Sequence, residues 1–224
     1  LKIAVFGDSY AEKNSSQHAW WQRLCLDHGH VVTCYGTGGS SIKYSMDLLE
    51  KHHSKFDFNI WCVTTPARIS VANGNDFFHS SYNSLQSAEL DLAFDNQEVV
   101  DACKKYFKYI FSWDYENFLG KIIVEHYLRT VPNLMIIPCF PAPLESFFNL
   151  YDLCYHEIKL FFPKQRLEDI FKSHKDLRQC HLTVKNNEIL AKLISDNLVP
   201  GIFQTKFENF EFSNLNKNQL LKAL

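Results

Sequence analysis

The chain has 224 residues, 46% of them hydrophobic and 21% charged, with a formal net charge of -2. Near neutrality without clustered basic residues excludes the electrostatic footprint of a nucleic-acid or anionic-membrane binder, and no apolar run reaches the roughly 20 residues that span a bilayer. Seven cysteines, odd in number and scattered through apolar stretches, read as buried thiols of a reducing compartment such as the cytoplasm, and no Cys-x-x-Cys pair supports a structural zinc.

Lys2 to Phe6 (KIAVF) is an apolar, β-rich run of the kind that a buried parallel strand shows. It begins so early that no signal peptide is expected ahead of it, although a first residue of Leu rather than Met suggests trimming. The run ends in Gly7-Asp8-Ser9-Tyr10, where Gly7 permits a sharp turn. In an open α/β sheet ligands bind beyond the carboxyl ends of the strands, so Ser9 is expected in the cleft. Asp8 and Ser9 equally suit a helix cap. A helix follows from Gln17 to His28, with Trp20, Trp21, Leu24 and Cys25 on one face and Gly29 as its stop.

His30 to Tyr35 reads as a second strand, followed by the turn Gly36-Thr37-Gly38-Gly39. Ser40 or Ser41 then starts a helix toward Lys51 that carries Ile42, Met46, Leu48 and Leu49. The turn lacks the Gly-x-Gly-x-x-Gly spacing and the Walker lysine, so no nucleotide cofactor is expected. Phe58 to Val63 is a third buried strand, and residues 69 to 96 read as an insertion at the sheet's carboxyl edge, with Asn73-Gly74 as a turn. Gln97 to Phe111 and Tyr115 to Arg129 have helical spacing, the first with Val100, Cys103, Phe107 and Ile110 toward the core. Asn133 to Pro138 is a fourth strand, stopped by the proline-rich turn 138 to 143.

Leu144 to Phe162 is rich in aromatics that belong by default to the core. Thr183 is the expected N-cap of a helix carrying Leu190, Leu193 and Ile194. Strands alternating with helices predict a flavodoxin-like α/β/α sandwich with a mostly parallel sheet, one domain over residues 1 to 204. Residues 205 to 224, polar with scattered Phe and Leu, read as an appendage with room for an oligomer contact.

Three blocks in order carry a resemblance to a known family: GDSY at Gly7 to Tyr10, YGTGGSS at Tyr35 to Ser41 and HLTVKNNEILAKLI at His181 to Ile194. Together they resemble the SGNH hydrolases, also called GDSL esterases and lipases. The likeness implies that family's fold and an acyl-serine mechanism on a small ester, with O-acetyl esters as one class, and without metal or cofactor. By position it makes Ser9 the nucleophile, Gly39 a backbone oxyanion donor and His181 the general base.

Two departures stand against it. After the third strand the family's Gly-x-Asn-Asp turn is replaced by Thr64-Thr65-Pro66-Ala67-Arg68, with Pro66 in the position of the asparagine. Thr65 or Arg68 is the candidate replacement donor, Arg68 the stronger because it is charged. Three residues before His181 stands Arg178 instead of an aspartate; Asp176 is the nearest upstream carboxylate to orient the base, and Arg178 is expected to pair with it. The alternative to a hydrolase is a binding or assembly protein that keeps the fold after losing catalysis.

Overall fold

In the computed structural model the residues described are 1–12, 19–73, 76–81, 97–144, 147–154 and 182–211. The strands are β1 (Lys2–Phe6), β2 (Val31–Cys34), β3 (Phe58–Val63), β4 (Arg68–Asn73), β5 (Asp76–Ser81), β6 (Leu134–Pro138) and β7 (Gly201–Ile202). Five of them form one sheet in the order β2-β1-β3-β6-β7, every neighbouring pair parallel. Growth outward in both directions from β1 and β3 is the flavodoxin-like winding, and it places a crevice beyond the carboxyl ends of these two central strands.

Side chains alternate between the faces of a strand, so each central strand feeds two cores. Ile3, Val5, Ile60, Cys62, Met135 and Ile137 face helix α1 (Trp20–Leu26) and helix α5 (Val184–Asp196), which contribute Trp20, Leu24, Leu190, Ala191 and Ile194. Ala4, Phe6, Trp61, Val63, Leu134 and Ile136 face helix α2 (Ile42–His52) and helix α4 (Trp113–Thr130), which contribute Ile42, Leu49, Val124 and Tyr127. The result is a three-layer α/β/α sandwich. Two of the large indoles in these layers also satisfy their N–H: Trp61 donates to Ser45 Oγ at 2.9 Å and Trp20 to the Tyr10 carbonyl at 2.9 Å.

Three helices start on the side chain the sequence offers. Ser41 Oγ accepts from Tyr44 N, Ser112 Oγ from Tyr115 N and Thr183 Oγ1 from Asn186 N, each worth about 1 kcal/mol. The Ser112 cap explains why α4 begins at Trp113, two residues ahead of the expected start. Helix α3 (Gln97–Tyr109) ends before Ile110, which closes a turn onto Tyr106 and is 70% exposed, contrary to its expected core position. Cys25 is exposed too, because α1 packs through Trp20, Trp21 and Leu24.

Part of the expected insertion is an antiparallel pair, β4 with β5, in which Asn73 pairs with Asp76; Gly74, of the expected Asn-Gly turn, lies outside the described residues. Residues 82 to 96, with Tyr82, lie outside the described residues. So do residues 155 to 181 and 212 to 224. The first part of the expected appendage lies against the body: Phe210 is buried and stacks on Phe148 with centroids 5.8 Å apart, and Asn186 exchanges two hydrogen bonds with the Glu211 backbone. Among the described residues no helix is long and apolar enough to cross a membrane.

Candidate active site

Gly7 ends β1 where β3 runs closest. A Cβ there would lie 2.6 Å from Cys62 Cβ and 2.7 Å from the Cys62 carbonyl, and its φ of +149° is one that side chains avoid. The chain therefore breaks away from the sheet at this residue and enters a short turn, Ser9–Ala11. Asp8 caps that turn, its Oδ1 accepting from Tyr10 N at 3.1 Å. Ser9 is half-buried at the start of the turn, past the carboxyl end of β1.

The capping role does not exhaust Asp8. Fully buried, it accepts through Oδ2 from Thr64 Oγ1 at 2.9 Å and from Arg68 Nη1 at 2.6 Å. Arg68 Nη1 also donates to Thr64 Oγ1 at 2.9 Å, and the guanidinium lies over the Phe140 ring, 5.0 Å from its centroid. One carboxylate thus joins the loops after β1 and β3, and the ring of Phe140 adds the loop after β6. Arg68, 16% exposed, is turned onto Asp8.

Beneath this pair lies Cys139. Burial pushes its thiol well above the ordinary value, helped by a hydrogen bond with Cys62 and the nearby Asp8 carboxylate and opposed by Arg68. It stays a neutral thiol, unsuited to nucleophilic attack.

The glycine turn after β2 is fastened to the serine turn. The Gly7 carbonyl accepts from Thr37 N at 3.1 Å and from Ser40 Oγ at 2.9 Å, and Glu12 and Gly36 form an isolated parallel bridge. A Cβ on Gly36 would lie 1.6 Å from the Ala11 carbonyl oxygen, so only glycine fits. Gly39 follows, exposed and at φ +76°. Thr65 is half-buried, with Oγ1 accepting from Ala67 N at 3.2 Å.

His181 lies outside the described residues, as do Asp176 and Arg178. The residue after His181 is nonetheless tied to the serine turn. Leu182 is buried in the same core as Tyr10 and Ala11. Its carbonyl and that of Thr183 accept from Asn187 Nδ2 at 3.0 and 3.1 Å, while Asn187 Oδ1 accepts from Trp20 N at 3.0 Å. The Trp20 indole in turn donates to the Tyr10 carbonyl, one residue from Ser9.

Thr64, Phe140 and Asn187 carry this scaffold without a role read for them in the sequence, and Ser40, one of two candidate helix starts, bonds the Gly7 carbonyl while Ser41 is the cap. Asn187 left a trace: an amide in the first turn of a helix, on its apolar side, needs partners. Compared with known proteins, the chain matches no family model and no curated sequence.

Proposed function

We propose that the protein is a serine esterase of the SGNH kind, in which Ser9 attacks an ester carbonyl while His181 takes its proton. The oxyanion would be met by backbone N–H groups at Ser9 and Gly39, with the Thr65 hydroxyl as side-chain donor. His181 then protonates the departing alcohol, and water releases the acyl group by the same proton path. Asp176 is the candidate to orient the imidazole. Arg68 has a supporting task in this reading: it holds Asp8, and through it the serine turn, in place.

The observation that carries the reading is the tie between Leu182 and Tyr10 through Asn187 and Trp20, which anchors the neighbour of the base beside the neighbour of the nucleophile. The six described cysteines are all free thiols, which supports the cytoplasm as the site of action.

Pro66 in the asparagine's position and the inward turn of Arg68 favour a second reading, a binding module that has lost catalysis. A missing oxyanion donor typically slows acyl transfer by about two to three orders of magnitude. A fluorophosphonate probe separates the two. Labelling of the wild type, lost in Ser9→Ala and His181→Ala together with turnover of p-nitrophenyl acetate, is the expected result. A folded wild type that neither labels nor turns over establishes the module instead.

A further inference from the structure

A cavity of about 410 Å³ opens between α2, β4 and α4, and none of the residues assigned above to bond making lines it. Ile42, Met46, Pro66, Ile69, Leu119 and Ile123 supply most of its wall. The charged groups at its margin are each engaged: Lys43 Nζ on Asp47 at 2.6 Å, Glu116 Oε1 with the Tyr106 hydroxyl at 3.0 Å, and Arg68 on Asp8. Ser41 and Ser70 bond to each other at 2.6 Å. The largely apolar wall therefore disfavours an ion or a strongly polar group, whose desolvation there would be costly.

Two wall residues adjoin the loops of the proposed site. Arg68 bonds Asp8, the neighbour of Ser9, and Ser41 lies two residues past Gly39. The volume falls within the usual range of small-molecule pockets and is more than ten times the roughly 30 Å³ that one water occupies in the liquid. An acetyl group would leave most of it unfilled.

We infer that this cavity takes a neutral apolar chain of medium length, the acyl group of the ester, so that the preferred substrates are longer than acetyl esters. The assignment of the chain as acyl group rests on Ser9 being the nucleophile; occupancy of the cavity by an apolar chain does not.

Two measurements on the full chain keep these apart. In the first, hexan-1-ol is titrated into Ser9→Ala by NMR, with Leu119→Trp and Ile123→Phe each added on that background to fill the cavity. Saturable binding that weakens about tenfold or more in whichever filled variant retains the fold is expected. No binding, or binding that a folded filled variant leaves unchanged, overturns the pocket. In the second, kcat/KM is compared for p-nitrophenyl acetate and hexanoate. The expected hexanoate-to-acetate ratio exceeds one in wild type and falls about tenfold in the filled variant. A ratio below one, or one the filling does not move, overturns the acyl assignment. Hexanol binding without turnover of either ester also overturns it, and attributes the failure to the catalytic reading rather than to the cavity.

Discussion

Asp8 is a buried carboxylate that accepts from a backbone N–H, a hydroxyl and a guanidinium at once. Removing one member of such a pair strands the other charge in a dry site. Arg68→Ala is accordingly expected to lower stability by about 3 kcal/mol, a fall in Tm of roughly 6–12 °C for a chain of this size, read by thermal denaturation. Arg68→Lys should recover only part, because an ammonium keeps the charge but loses the flat face over Phe140. Stability unchanged in the alanine variant would contradict the clamp. In the sequence, Ser9 and Gly39 were legible because each sits in a turn that ends a readable strand. The bond from Arg68 to Asp8 was not, since the two are 60 positions apart and nothing local in either segment specifies the other.

At the scale of elements, α5 packs through Leu190, Ala191 and Ile194, and one amide fastens its first turn. Asn187 bonds two carbonyls of the segment before its own helix and the first N–H of α1, so both helices share it. Asn187→Leu is expected to cost about 1–3 kcal/mol, chiefly from leaving buried backbone groups unpaired. Denaturant unfolding gives that number. Labelling of Ser9 should slow in the same variant if the amide keeps the closing segment aligned, and a normal labelling rate would deny it that part.

The elements themselves were legible where an unbroken apolar run or a capping residue marked them. β3 and β1 have the expected bounds, because an unbroken apolar run between turn residues leaves little choice. α5 begins where Thr183 predicted. β7 was missed, since two residues, Gly201 and Ile202, have no period, and their strand exists only because β6 offers an edge to pair with. The pairing of β4 with β5 is not legible in a segment that reads only as an insertion, since these strands run between an unusual Pro66 turn and a stretch without a period. The Asn73-Gly74 pair in the sequence is the one clear local signal there.

For the whole molecule, two phenols shape the response to alkali. Tyr127 lies in the core under α2 and α4, where burial and then its hydrogen bond to Glu50 push its phenol well up. Tyr106, on α3, is pushed up to about 12 by burial and then by Glu116. In the unfolded chain both would ionise near pH 10. The folded state keeps their protons where the unfolded state gives them up, so their contribution is complete below about pH 10 and is lost as pH rises through the folded values. Alkaline unfolding should therefore coincide with a step in phenolate absorbance above pH 10. Tyr127→Phe should reduce the pH dependence of stability in that range, and an unaltered profile would remove Tyr127 as its source.

The contact of Gly36 with the Ala11 carbonyl, closed by the bridge between Glu12 and Gly36, has a consequence for how such a protein can diverge. At Gly36 the loop bearing the hydroxyl and the loop bearing Gly39 abut backbone to backbone, leaving no side chain at that point to absorb a change. An extra residue in either would slide its neighbour out of line. Natural or engineered diversity in chemistry here should thus enter through the walls at Leu119 and Ile123, while the two abutting loops vary in length together or not at all.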